Sequence, residues 1–172
     1  QDAAGVWSNY QAVYHLNENP GASGTVIDSA GNHDGTNADS TDTAGVIGNA
    51  QDFDGSNEYI NLGDDIAWLN NASGATLSIW TNSDSINGGS NDIIGFTRYD
   101  VGSTSSSRFA LIRNSDEIRL IARTMDDESD TVTVQTTTSP LVAGQWQHIT
   151  GTVDYASDVD NIKIYVDGVL EG

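Results

Sequence analysis

The sequence predicts an all-β protein, built as a two-sheet antiparallel β-sandwich of the jelly-roll type. Short runs rich in β-branched and aromatic residues recur along the chain, separated by clusters of Gly, Asn, Asp and Ser. No window of about 12 or more residues shows the apolar period of about 3.6 residues that indicates an amphipathic helix. The two prolines, Pro20 and Pro140, fall between the runs, as a sheet requires because proline cannot donate a hydrogen bond to a neighbouring strand.

Each predicted strand is a short run of alternating or β-branched residues bounded by turn residues. In chain order, the predicted strands are 11–17, 25–28, 50–53, 58–62, 75–80, 92–98, 108–113, 117–123, 131–136, 146–153 and 161–166. The last strand ends in Asp167-Gly168, which is typical of a tight hairpin turn. Two segments rich in small polar residues, 32–48 and 83–91, are predicted to be surface loops, where binding residues usually lie.

Alternation within the strands predicts which side chains face the core, because successive residues of a strand point to opposite faces. The residues predicted to face inward are Leu77, Ile79, Ile118, Leu120, Ile162, Ile164 and Val166. Trp80 falls on the opposite face from Leu77 and Ile79. We expect it to be packed on a curved sheet rather than to form a ligand platform, because large aromatic side chains mostly serve burial.

The charge of the chain excludes several classes of partner. The 172 residues suffice for one domain with a core, and they include 25 acidic against 6 basic residues, a formal net charge of -19. A field of that sign repels nucleic-acid phosphates and anionic membranes, and no run approaches the ~20 apolar residues of a membrane span. We therefore expect neither nucleic-acid binding nor membrane insertion. The chain has no cysteine, which excludes disulfides and thiolate metal sites.

Four motifs in the same order and spacing resemble laminin G-like and pentraxin-like domains of the concanavalin A-like superfamily. Segment 13–18 looks like the family's opening strand with its Asn-Glu ending, and 28–35 resembles the loop Asp-Ser-x-Gly-Asn-x-x-Gly that follows. Segment 45–55 is similar to the Gly-rich turn that leads into the next strand, and 146–168 is similar to the hairpin near the end of these domains. The resemblance implies a module that binds glycans or proteins and is not a catalyst.

The resemblance also implies a domain organisation. Residues 1–10 form an N-terminal arm or linker, and 11–172 form a laminin G-like sandwich that is incomplete at its C-terminus. Family members continue past the Asp-Gly hairpin with a Gly-rich turn and a final strand, whereas this sequence ends at Gly172. Three explanations stay open: the chain has been cut, the tail is missing, or another polypeptide supplies the closing strands, since an open sandwich exposes unpaired edges.

Structural calcium is the cofactor that the resemblance implies, because members of the superfamily often hold it near the loop after the opening strand. Carboxylate and amide oxygens are suitable ligands, and the candidates here are Glu18, Asp28, Asn32, Asp34 and Asp54. The alternative is that Asp28 and Asn32 only cap turns through bonds to the backbone.

Further candidate site residues are Trp68 and the residues at the end of the strand 92–98. Asp100 occupies the place where pentraxin-like domains have the first acidic ligand of a calcium site, although the other acidic ligands of such a site come from beyond Gly172. Trp68, Arg98 and Tyr99 are candidate sugar-binding residues, since a ring face stacks on the apolar face of a sugar. The alternative for Trp68 is that it covers the edge of the sandwich.

The motifs of an enzyme are absent from the sequence. The β-glucanases of the superfamily carry a Glu-x-Asp-x-x-Glu run, which puts two carboxylates on one face of a strand, and the nearest match, 128–130, lacks the second glutamate. This absence disfavours catalysis, and the resemblance implies a non-enzymatic extracellular or cell-surface module for recognition or adhesion, which binds a polysaccharide or glycoprotein with calcium-stabilised loops. The alternative is a structural or assembly module that contacts neighbouring domains of a larger surface protein and is possibly completed by another polypeptide.

Overall fold

A computed structural model describes residues 3–31, 33–63, 72–99, 106–123, 131–156 and 161–172. At positions 3, 4, 90, 92, 97–99, 106 and 107 it describes the backbone alone. These residues form β-strands and two short helical turns, α1 at Ala3–Val6 and a 3-10 turn at Gly21–Ser23. The predicted all-β class is confirmed. No helix among the described residues is long and apolar enough to cross a membrane.

The chain divides into two compact units, Gln1–Trp68 and Leu69–Gly172, where the sequence predicted one sandwich after a short arm. The strands of the first unit are β1 Thr25–Val26, β2 Gly35–Ala38, β3 Thr41–Ala44, β4 Asn49–Asp52 and β5 Tyr59–Asn61. They form an antiparallel sheet of order β1-β2-β5 and a two-stranded sheet of β3 and β4.

Two predictions for the first unit are wrong, one of a strand and one of a loop. Segment 11–17 is not a strand: it makes one isolated bridge, between Tyr14 and Asp28, and Leu16 has a φ of 57°, which interrupts an extended conformation. Segment 32–48, predicted as a loop, contains β2 and β3. Its small residues hid these strands from sequence reasoning, yet they allow close packing, since a Cβ at Gly35 would lie 3.1 Å from Ile60 Cγ2.

The second unit is a two-sheet sandwich. Its strands are β6 Gly74–Asn82, β7 Ser90–Tyr99, β8 Ser106–Asn114, β9 Glu117–Arg123, β10 Thr131–Gln135, β11 Trp146–Asp154, β12 Ile162–Val166 and β13 Val169–Leu170. One four-stranded sheet has the order β10-β9-β8-β7, and the other has the order β13-β12-β11-β6. All neighbouring strands pair antiparallel. The sandwich prediction is thus confirmed in this unit.

The core of the second unit lies between these two sheets. Its buried residues are Leu77, Phe109, Leu111, Ile118, Leu120, Ala122, Leu141, Ile149, Val153, Ile164 and Val166. The sheets approach closely at Gly151 of β11, where an added Cβ would lie 2.9 Å from Leu111 Cδ2 and from Leu120 Cδ1 of the other sheet. Glycine suits this position because a larger side chain would displace packed core atoms.

The predicted inward faces are confirmed. Ile118, Leu120 and Ile164 have no exposed surface, and Ile79 and Ile162 pack partly buried against the same core. The predicted hairpin is confirmed as well, because Asp167 and Gly168 have φ values of 50° and 80° and connect β12 to β13. Two consecutive positive φ angles characterise a type I′ turn.

Candidate functional site

Asp28 organises the loop that follows β1 in the first unit. The side chain is 3% exposed, and its carboxylate accepts hydrogen bonds from three backbone N–H groups. Oδ1 accepts from Val13 N at 2.7 Å and from Ala30 N at 2.9 Å, and Oδ2 accepts from His33 N at 3.0 Å. The bond to Ala30, two residues on, is an Asx turn. The carboxylate therefore connects Val13 to the loop through hydrogen bonds to their backbone N–H groups.

Asp34 and Tyr14 complete this loop. Asp34 Oδ1 accepts the N–H of Asp28 at 2.9 Å, and the Tyr14 hydroxyl donates to the carbonyl oxygen of His33. Partial burial, reinforced by the negative charges of Asp28 and Asp34, raises the pKa of Tyr14 to about 12. Both carboxylates act in this direction because they disfavour a second negative charge nearby.

Glu18 differs from Asp28 because one of its carboxylate oxygens is buried without a partner. Glu18 Oε2 is enclosed and makes no hydrogen bond. The backbone beside it is held by Gln51, whose Nε2 donates to the Glu18 carbonyl oxygen at 2.9 Å. A buried, unpaired carboxylate oxygen is costly, and a cation would satisfy it. Glu18 therefore has a property expected of a metal ligand.

Of the three remaining candidate ligands, the structure describes Asp54. Asp54 is solvent-exposed and forms a turn, in which Oδ1 accepts the N–H of Ser56 at 2.8 Å and the Asp54 N–H donates to Glu58. The Ser56 bonds lower the pKa of Asp54. Asn32 and Asp100 lie outside the described residues. Across the described ranges, no three His, Asp or Glu side chains lie close enough together to hold a metal ion.

The side chains of the predicted sugar-binding residues are not described by the structure. Trp68 lies outside the described residues, and Arg98 and Tyr99 belong to the end of β7 with their backbone alone described. These three candidates therefore stay predictions.

A different set of aromatic and polar residues is brought together on the second unit. Residues of β6, β11 and β12 that alternate away from the core share one surface, which we call the outer face. Its members are Thr76, Ser78, Trp80, Asn82, Trp146, His148, Thr150, Thr152, Asp154, Lys163 and Tyr165. Strand pairing aligns them in rows, with Trp80 opposite His148 and with Ser78 and Tyr165 flanking Thr150. All of them belong to rigid strands rather than to loops.

Trp80 is the most prominent member of the outer face. Half of its surface is exposed (50%), whereas the sequence favoured a packed residue. Its ring lies against the His148 imidazole, with ring centroids 5.1 Å apart and an interplanar angle of 41°. A half-exposed ring supported from one side offers a flat apolar surface to a ligand.

Hydrogen bonds fix the imidazole that supports Trp80. His148 Nε2 lies 2.8 Å from Ser78 Oγ, which in turn lies 3.4 Å from Thr150 Oγ1. The backbone N–H of His148 donates to Asp167 Oδ1 at 2.8 Å. Because each hydroxyl can both donate and accept, Ser78 and Thr150 can also bond to the hydroxyls of a ligand.

Sequence reasoning missed this grouping because it depends on a non-local pairing. Alternation within β6 does place Ser78 and Trp80 on one face. However, β11 lies about 70 residues further along the chain, and no local signal makes it the neighbour of β6 or sets the register of Trp80 opposite His148.

A protein-family model of the laminin G type, described as the concanavalin A-like lectin/glucanases superfamily, matches residues 54–172. This range is more than half of the chain and contains the hairpin motif at 146–168, but not the motifs at 13–18 and 28–35. No curated protein and no solved structure gives a match.

The Asp28 bonds predict a specific mutational pattern. Asp28→Asn places an NH2 group where the carboxylate now accepts a backbone N–H, so we expect the free energy of unfolding to fall by about 1–3 kcal/mol. Asp34→Asn is the matched control: an Asn keeps an oxygen for the N–H of Asp28, and a change within about 0.5 kcal/mol is expected. Urea unfolding measures the free energy of unfolding of both variants. Equal losses of stability in the two variants would contradict the assigned role of the Asp28 carboxylate as an acceptor of backbone N–H groups.

The raised pKa of Tyr14 predicts a late step in a phenolate absorbance titration. The folded protein keeps this proton to about pH 12, whereas an unfolded chain releases it near pH 10. The contribution of the neutral phenol to stability is therefore complete below pH 10 and is lost as the pH rises towards 12. Burial also raises the pKa of Tyr155, so the Tyr14→Phe difference is the informative quantity. If that variant retains the whole late step, the assignment is wrong.

Proposed function

Since this chain belongs to the laminin G-like family of the concanavalin A-like lectin/glucanase superfamily, we propose that it is a non-enzymatic recognition or adhesion module. The superfamily itself suggests a carbohydrate-binding or adhesion-type module. The finer proposal is that the protein works outside the cell or at the cell surface and binds a polysaccharide or glycoprotein, as one module beside other domains of a larger chain.

The observation that carries this proposal is the half-exposed Trp80 ring, supported by His148 and bordered by Ser78 and Thr150. Sugars present an apolar ring face and a rim of hydroxyl groups, so their recognition needs a flat aromatic surface beside groups that donate and accept hydrogen bonds. The outer face offers both. Because its residues lie on paired strands, little ordering is required on binding, which favours affinity.

The absence of catalytic motifs supports a binding role. A retaining or inverting glycosidase needs two carboxylic acids on either side of the scissile bond. Among the strand residues of the outer face, Asp154 carries the single carboxylate, at the end of β11 opposite Gly74, and its Oδ1 accepts the N–H of Ala156. Asp167 lies beside this face, but its Oδ1 accepts the N–H of His148. Binding without bond cleavage is therefore the chemistry that these side chains support.

Calcium is the cofactor that we propose for the first unit, with ligands drawn from Glu18, Asp28, Asn32, Asp34 and Asp54. The buried, unpartnered Glu18 Oε2 supports this proposal. The carboxylate of Asp28 fits less well, because it already accepts three backbone N–H bonds. A bound cation would supply positive charge to the Glu18 Oε2 atom, which is buried without a hydrogen-bond partner.

The Trp80 ring provides the direct test of glycan recognition. We expect the protein to bind members of a glycan array, and Trp80→Ala to lower the affinity about tenfold through loss of the stacking surface. Val132→Ala is the matched control: Val132 is 39% exposed and belongs to β10 of the other sheet, so its loss leaves binding unchanged. An array that stays silent with the folded wild-type protein would favour the structural or assembly role instead.

The calcium proposal predicts an effect on thermal stability. A cation that binds the folded state stabilises it by mass action, by about 2.7 kcal/mol at a concentration of one hundred times Kd. We expect calcium to raise the Tm relative to chelator-treated protein, and Glu18→Gln to reduce that shift. Asp84→Asn, which removes an exposed carboxylate of the second unit, serves as the control. Identical Tm values with calcium and with chelator would contradict the proposal.

A further inference from the structure

We infer that the ligand of the outer face is an extended, uncharged polysaccharide that lies diagonally across β6, β11 and β12, with Trp80 contacting one sugar and Tyr165 another. This inference rests on the proposed function and assigns the class of glycan and its path. It depends on three features of the outer face: its charge, the separation of its rings, and the polar groups between them.

Charge favours an uncharged glycan over an acidic one. The chain has a formal net charge of -19, and such a field repels the carboxylates and sulfates of acidic polysaccharides. Lys163 is the single cation among the outer-face residues, and one partly exposed lysine does not offset that repulsion. The strand residues between Trp80 and Tyr165 include no carboxylate. Asp154 is at the other end of β11, opposite Gly74, and Asp167 Oδ1 already accepts the N–H of His148. The outer face therefore matches a partner without charge.

The separation of the two rings indicates a chain of sugars rather than one sugar. Trp80 is paired with His148 on β11, and Thr150, two residues further along, is paired with Tyr165 on β12. At ~4.8 Å per strand and ~3.4 Å per residue, the Cα atoms of Trp80 and Tyr165 are roughly 12 Å apart. A single pyranose is too small to contact both rings.

Polar side chains occupy the path between the rings. His148 and Thr150 lie between Trp80 and Tyr165 in the strand register, and the Ser78 hydroxyl bonds to the His148 ring. These groups can donate to and accept from sugar hydroxyls along the chain. Tyr165 is partly exposed, and the next residue across the sheet, Leu170, is 57% exposed. Apolar surface thus continues at the far end of the path.

A length series tests the inference. Isothermal titration calorimetry would compare neutral gluco-, manno- and xylo-oligosaccharides, each from disaccharide to hexasaccharide, with alginate and hyaluronan oligosaccharides of equal length. We expect affinity to rise with length for one neutral series and the acidic series not to bind. Tyr165→Ala should lower the hexasaccharide affinity about fivefold and leave the disaccharide affinity unchanged. Trp80→Ala should weaken both, and Tyr165→Phe, which keeps the ring, should behave like the wild type.

The outcomes separate this inference from the proposed function. The affinity for neutral glycans could depend on Trp80 but not increase beyond the disaccharide, or not change in Tyr165→Ala. Either result overturns the path but is consistent with glycan recognition. Preference for an acidic series overturns the assigned class. If no glycan binds and a purified protein partner binds in a Trp80-dependent manner, both the inferred path and glycan recognition fail. Far-ultraviolet circular dichroism and the Tm of each variant identify loss of folding, and if Tyr165→Ala does not fold, the dependence of the wild-type affinity on glycan length still tests the path.

Discussion

The packing of two sheets against one core is the constraint on which the rest of the second unit depends. Because side chains alternate along a strand, the burial of Leu77 and Ile149 determines where their neighbours point. Ser78 and Trp80 must face away from the core if Leu77 and Ile79 face it, and the same holds for His148 beside Ile149. Gly151 lets the sheets approach closely. The outer face is therefore a direct consequence of core formation, and a shift of one residue in register would bury its polar groups.

The two units use their polar residues in different ways. In the first unit, the carboxylate of Asp28 accepts backbone N–H groups and so replaces the regular pairing that segment 11–17 lacks. This is a structural use of an acidic residue. Glu18 differs, because its Oε2 is buried without a partner. In the second unit, regular strand pairing satisfies the backbone hydrogen-bonding groups. The side chains of Ser78 and Thr150 are consequently available to each other, to the His148 ring and to a ligand.

Much of the fold could be predicted from sequence because its signals are local. Alternation identified the buried positions of β9 and β12, such as Leu120 and Ile164, and Asp167-Gly168 identified a turn that needs positive φ angles. The β2 and β3 strands were missed because their residues are small and polar, so no apolar alternation marks them. The outer face was missed for another reason: alternation gives the face of Trp80 but not its neighbour, since the pairing of β6 with β11 is non-local and is set by the whole core.

Glycan recognition by the outer face can be observed in a two-dimensional amide NMR spectrum recorded while a neutral hexasaccharide is added, with backbone and indole N–H signals assigned. We expect the perturbed signals to map to the outer face, namely the Trp80 indole and the amides of His148, Thr150 and Tyr165, while signals of the Asp28 loop stay unchanged. Perturbations confined to the Asp28 loop, with the Trp80 indole unaffected, would contradict glycan recognition by the outer face.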